Sequence, residues 1–193
     1  LKAEKRSMDV KAKKLRREGF VTGNLFGREI EGSIPLKFTK KEIEVLLKNN
    51  NKGSQVMLEL DGKTYDALIK EVDYNPLAHT VEEVDFQALV SNEMVHSTAE
   101  IILENEEKVM SGVLQDELKE VAYKALPADL VDKIKVDVSH MKVGETLKVK
   151  DLDIAKNPAI DLHTSPEATV ATVLEVHNAV ADDADAEDET AEA

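Results

Sequence analysis

Lys11-Ala12-Lys13-Lys14-Leu15-Arg16-Arg17-Glu18-Gly19 runs directly into Phe20-Val21-Thr22-Gly23-Asn24-Leu25-Phe26-Gly27. The first half reads as a short helix that stops at a glycine, and the second as an apolar strand closed by the next glycine. Asp9 is the expected N-cap, so the helix is predicted over residues 9–18, with Val10 and Leu15 as its apolar positions. A helix this short, with five cations between Lys11 and Arg17, is marginal by itself. Nearby anions would offset its self-repulsion.

Outward from this stretch the pattern is β. Glu29 to Phe38 alternates through Ile30, Ile34, Leu36 and Phe38; Gly32-Ser33 marks an expected bulge and Pro35 an expected edge position. Thr39-Lys40-Lys41-Glu42 has the spacing of a capping box and opens a helix that turns Ile43, Leu46 and Leu47 inward. Gln55 to Leu60 and Lys63 to Val72 flank Asp61-Gly62, the dipeptide of a type I′ hairpin turn. Tyr74-Asn75-Pro76 interrupts the chain before a strand over residues 80–89. Residues 1–90 are therefore expected to form a small, strongly curved β-sheet or barrel with two helices.

Residues 91–177 read as a second, mostly β domain. Strands are expected at 95–103, 118–125, 133–138, 146–149 and 168–176, with Ile134, Val136 and Val138 on one face. Residues 178–193 are Ala, Asp, Glu and Thr with almost no apolar bulk, and are expected to be disordered. The fold class is thus mainly β with a few short helices.

Composition narrows the function. The 193 residues are 42% hydrophobic but only 4% aromatic, so the core must be mostly Val, Leu, Ile and Ala. Cysteine is absent, which rules out disulfides and thiolate metal sites. No run of about 18 apolar residues predicts a membrane span. The N-terminal Leu1-Lys2-Ala3-Glu4-Lys5-Arg6 lacks the apolar segment of a signal peptide. The five histidines have no ligand-like spacing, and neither a HExxH nor a phosphate-loop motif occurs. Glu82-Glu83 and Glu106-Glu107 are sequence neighbours, expected on opposite faces of a strand and so poor acid/base pairs. The chain is expected to have no catalytic residue, no metal and no cofactor.

Charge is polarised. Net charge is −14, yet residues 1–52 carry 14 Lys and Arg against 7 Asp and Glu. A cationic lobe on an anionic chain points to a polyanionic partner, although a charge run is more often a solvated face.

Four groups of residues carry a resemblance. Lys14-Leu15-Arg16-Arg17-Glu18-Gly19 followed by Phe26-Gly27 is one; Tyr74-Asn75-Pro76 with Val84-Asp85-Phe86 is another. Gly112-Val113-Leu114-Gln115 with Leu126-Pro127-Ala128-Asp129 is the third, and Ile134 to Ser139 with Gly144-Glu145-Thr146-Leu147 the fourth. In this order and spacing they resemble the general-stress-protein CTC type of bacterial large-subunit ribosomal protein, a family that binds 5S ribosomal RNA. The resemblance implies an RNA-binding N-terminal barrel, an outward C-terminal β domain, no catalysis, and a cytoplasmic, ribosome-associated protein. It also implies partners: 5S ribosomal RNA, the large subunit, and neighbouring ribosomal proteins through the C-terminal domain. No membrane or small-molecule substrate is expected.

Arg16 and Arg17 are the leading RNA-binding candidates, because a guanidinium can pair with phosphate and stack on bases; Lys11, Lys13 and Lys14 follow. Asp85 is either an acceptor for base amino groups or a turn-bonding or salt-bridged carboxylate. Phe26 is expected in the core rather than stacked on a base, and Lys70 and Tyr74 are expected to reach RNA from the hairpin end. Where the family pattern has Tyr, Pro, Ser-Arg and His, this chain has Phe26, Thr22, Ala12-Lys13 and Glu83. Glu83 and the net charge support an alternative: a stress-related protein-interaction module with weakened or lost RNA binding.

Overall fold

The computed structural model describes residues 1–109 and 112–175. The expected disordered segment at 178–193, and residue 176 of the last predicted strand, lie outside the described residues. Six strands close a barrel: β1 (Lys2–Lys5), β2 (Phe20–Phe26), β3 (Ser33–Thr39), β4 (Gln55–Leu60), β5 (Lys63–Asn75) and β6 (Thr80–Ala88). Their spatial order is β1-β3-β2-β6-β5-β4, with β2 parallel to β6 and β1 parallel to β4. Closure removes the open edges that would otherwise invite pairing.

Alternation along these strands supplies the core. Val21 and Leu25 of β2, Leu36 and Phe38 of β3, Leu58 and Leu60 of β4, Ala67 and Ile69 of β5, and Val84 and Phe86 of β6 all turn inward and are buried. The Phe38 and Phe86 rings lie 5.4 Å apart, tilted by 53°. Gly23 lies in the middle of β2 because β6 passes close over it: a Cβ there would sit 2.0 Å from the Val84 carbonyl oxygen.

The hairpin turn at Asp61-Gly62 has φ of 50° and 77°, as a type I′ turn requires. Helix α2 (Lys40–Asn49) opens with the full capping box: Thr39 Oγ1 accepts from the Glu42 amide, and the Glu42 carboxylate accepts from the Thr39 amide. Helix α1 is shorter than predicted, Ala12–Arg17, and Lys11 occupies the N-cap without a side-chain bond. Asp9 is instead held by Ser7, whose hydroxyl donates to its carboxylate at 2.9 Å. Strand β3 begins only at Ser33, because residues 28–32 form the turn. Pro35 is not at an edge: β3 lies between β1 and β2, and the Pro35 carbonyl accepts from the Arg6 amide at 2.9 Å.

The remaining strands form two sheets. The first has the order β10 (Lys133–Asp137), β7 (Val95–Glu104), β9 (Glu120–Ala125), β12 (Asp161–Leu162). The second has the order β11 (Thr146–Lys148), β13 (Thr169–Leu174), β8 (Val113–Asp116). Ala99, Ile101, Val121 and Tyr123 of the first sheet meet Val149, Leu152, Ile154 and Val170 in a second core. Ile134 and Val138 are buried and Val136 is half-buried while Lys135 and Asp137 are exposed, the alternation read from the sequence.

The loop after α2 joins the two parts. Asn51 donates to the Glu100 carboxylate, Ser54 Oγ to Asp132 at 3.3 Å, and Lys133 Nζ to the Asn49 carbonyl at 3.3 Å. Gly53, with φ of 91°, presses against β7 so closely that a Cβ would lie 1.9 Å from the Thr98 carbonyl oxygen.

Candidate nucleic-acid interface

Helix α1 packs on β2 through buried Leu15, and this single apolar anchor leaves the rest of the helix outward. Lys11, Lys13, Lys14 and Arg17 are exposed. Lys14 has only a long contact with Glu18, 3.9 Å, whereas Lys11, Lys13 and Arg17 have no ion pair among the described residues. The glycine stop is as read: Gly19 has φ of 89° and follows the C-cap Glu18.

Arg16 is different. Its two terminal nitrogens pair with Glu82 and Glu83, each at 3.0 Å, and its Nε donates to the Glu82 carbonyl at 3.1 Å. It also donates to Thr22 Oγ1 at 3.3 Å, and Thr22 is fully buried beneath it. The guanidinium that ranks first as an RNA contact in the sequence is thus a clamp between α1, β2 and β6.

The reason lies in two bulges. Strands β5 and β6 pair Ile69 with Phe86 and next Glu71 with Asp85, so Lys70 is an extra residue on β5. They pair Asp73 with Glu83 and next Tyr74 with Val81, so Glu82 is an extra residue on β6. A bulge breaks the in-and-out alternation and re-aims the side chain it carries. Glu82 and Glu83, expected on opposite faces, therefore converge on one guanidinium. Lys70, expected to act from the hairpin end, turns away from α1 and donates to the His96 carbonyl at 2.7 Å.

The outer faces of β2 and β6 carry the remaining candidates. Asp85 Oδ1 accepts from the Asn24 amide at 2.9 Å and from Asn24 Nδ2 at 3.1 Å, which fixes the carboxylate beside β2. Phe26 is half-buried and lies outside the barrel core, in register with Gln87. Beside them Glu71, Asp73, Glu83 and Asp85 line a depression of about 110 Å³. Tyr74 is exposed at the hairpin end, its hydroxyl 3.2 Å from His79 Nδ1. The structure therefore places Arg16, Asp85 and Phe26 along the outer side of β2 and β6, puts Tyr74 beside Glu82 at the hairpin end, and turns Lys70 to the His96 carbonyl.

Sequence reasoning missed Glu82, Thr22 and Asn24 as partners of this face. Thr22 and Glu83 carried a signal, standing where the resembled pattern has Pro and His. The arrangement can offer Lys11, Lys13 and Arg17, exposed and unpaired among the described residues, to a polyanion, next to a carboxylate face that repels one.

Most of the chain has counterparts. The model of the Ribosomal L25p family matches residues 1–86, and that of the ribosomal protein TL5 C-terminal domain matches residues 94–177. Several relatives named large ribosomal subunit protein bL25 align over most of their length. The Carboxydothermus hydrogenoformans protein is 31% identical over 179 residues, 88% of each chain. The Moorella thermoacetica protein is 30% identical over 169 residues, 84% of this chain and 80% of its own. The Akkermansia muciniphila protein is 31% identical over 166 residues, 84% and 82%. Six closed strands under a short cationic helix, followed by two smaller sheets, are what these two models meet in the same order, and on that match the chain belongs to the bL25 family of large-subunit ribosomal proteins.

Proposed function

We propose that this chain is a structural, non-catalytic constituent of the large ribosomal subunit and that it docks on 5S ribosomal RNA through α1. Family membership supports the first part. The observation that carries the second is the set of exposed cations Lys11, Lys13 and Arg17, which have no internal ion pair among the described residues. Phosphate contacts by such side chains position a protein on folded RNA without reading sequence. Asp85 and Phe26 lie on the adjoining face, within the same docking surface.

The test is a gel-shift titration with 5S ribosomal RNA, paired with ribosome co-sedimentation. Lys13→Ala/Arg17→Ala should weaken binding by at least tenfold and deplete the protein from the large-subunit fraction. Unchanged binding by this variant would remove α1 from the interface.

A second reading has its own observation. Arg16 is neutralised by Glu82 and Glu83, and four carboxylates crowd the same side of the barrel. In that reading the chain joins its assembly through protein contacts, and 5S RNA gives no specific shift at physiological salt although co-sedimentation persists.

A further inference from the structure

A cleft of roughly 310 Å³ opens between the barrel and the second part, lined by none of the α1 cations. Its floor is apolar and closed: Leu68, Ile69 and Tyr123 are fully buried. Leu68 does not belong to the barrel core; it is an outward residue of β5 that the second part covers. The mouth is basic. Lys52 and Lys70 come from the barrel, and His96 and His163 from the other side, their rings 4.6 Å apart. Ser97, 6% exposed, lines the cleft, and its buried Oγ makes no well-formed hydrogen bond among the described residues, the Tyr123 hydroxyl being its nearest polar neighbour. The neighbouring Tyr123 hydroxyl is already engaged twice, donating to and accepting from Val131 at 2.7 Å.

We propose that this cleft is a second anion site, separate from α1, that holds one phosphate group between Lys70, Lys52, the His96–His163 pair and the Ser97 hydroxyl. Lys70 has three ammonium protons and spends one on the His96 carbonyl, which aims the other two across the cleft. A lone buried hydroxyl costs free energy until it finds a partner, and a phosphate oxygen supplies an acceptor. Two observations agree on the local potential. Burial and then Lys52 hold the Lys70 ammonium below its ordinary range. Burial, then His163, Lys124 and Lys70, hold His96 below its own, with Asp161 opposing weakly. The nearby carboxylates are few and partly committed: Glu120 sits 3.7 Å from Lys52, and Glu71 lines the rim. An incoming anion gives Lys70 the counter-charge it lacks among the described residues. The bulge at Lys70 is what makes the site, since an unbroken β5 would leave that lysine on the carboxylate face.

The phosphate can be free inorganic phosphate or the phosphate of an RNA strand, and the same signals separate the two. Imidazole resonances of the full chain are followed by ¹H–¹⁵N NMR during titration with inorganic phosphate, with ionic strength held constant by chloride. His96 and His163 should shift in a saturable manner while His79 and His140 do not, and the His96 titration midpoint should rise as phosphate is added. Lys70→Gln and the milder Ser97→Ala should each weaken the apparent affinity at least fivefold, with amide spectra showing an intact fold. A single-stranded RNA oligonucleotide that shifts the same two histidines at far lower concentration assigns the site to RNA; an unresponsive pair leaves it to free phosphate. Non-saturating shifts, equal shifts with chloride, or an affinity unchanged in both variants would overturn the proposal.

Discussion

Arg16 and Arg17 are adjacent, chemically identical, and do opposite work. Arg16 is half-buried and makes charge-assisted bonds to Glu82 and Glu83, so its removal leaves two carboxylates beside Asp85, Asp73 and Glu71 with no counter-ion. Bonds of this kind contribute about 2 kcal/mol. Arg16→Ala should therefore lower unfolding stability by about 2 kcal/mol in urea titration, whereas exposed Arg17→Ala should stay within about 0.5 kcal/mol. Affinity for 5S RNA should follow the reverse ranking if both are measured at a temperature where the Arg16 variant is folded. Glu83→Gln tests the carboxylate face directly. A unit charge some 5 Å from a phosphate costs just under 1 kcal/mol in water, and the change also loosens one arm of Arg16. RNA affinity should rise about fourfold; an unchanged or weaker gel shift would mean that this face does not meet RNA. None of this pairing was legible in the chain, because alternation assigns Glu82 and Glu83 to opposite faces, and only the extra residue in β6 reunites them. A bulge has no obligatory residue type, so nothing in Tyr74–Glu83 announces it.

Elements with a local chemical signature were readable, and those defined only by partners were not. The Asp61-Gly62 hairpin and the Thr39–Glu42 capping box follow from turn angles and spare amides, and both are present. Thr39→Ala should cost about 1 kcal/mol by loss of the cap, measured by thermal or urea unfolding. Strand β1 has one buried residue, Ala3, between charged neighbours, and β12 is two residues long; neither carries a periodicity to read. The α2–β4 loop carries no such signature either, although Gly53 meets Thr98 of β7 there. Gly53→Ala adds a Cβ where no space exists and at a positive φ, so it should destabilise by more than about 2 kcal/mol. The Asp137 turn gives a pH-dependent check. The Ser139 amide, then the Ser139 and Asn105 side chains, hold the Asp137 carboxyl below the usual carboxylate range. A depressed folded-state pKa stabilises above the unfolded value of about 4 and is lost as pH falls through the folded one. The Tm gap between the native chain and Asp137→Ala should thus be present at pH 6, narrow below about pH 4 and close towards pH 2. A gap that widens in acid would contradict the assigned sign.

Across the whole molecule charge is divided unevenly between the two parts. Residues 1–90 carry 16 Lys and Arg against 15 Asp and Glu, while residues 91–193 carry 9 against 24. This division was plain in the sequence, because counting charges needs no knowledge of contacts; where the charges face was not. The barrel closes on its own strands within residues 2–88, so a fragment of residues 1–90 should fold cooperatively, less stably than the full chain for want of the cover over Leu68. That fragment isolates the field of the acidic part. Lys11, Lys13, Lys14 and Arg17 displace counter-ions from about four phosphates, which gives a log–log salt slope of roughly −3 to −4. The acidic part adds long-range repulsion that acts only while the Debye length spans the molecule, about 30 Å at 0.01 M salt and about 8 Å at 0.15 M. The fragment should therefore bind 5S RNA several-fold more tightly than the full chain at 0.01–0.02 M salt, with the steeper slope, and the two curves should converge by 0.15 M. Parallel curves would place the acidic part beyond the reach of the RNA. A fragment that binds more weakly at every salt concentration would instead give residues 91–193 contacts of their own, with the basic cleft at Lys70 and His96 the first place to look for them.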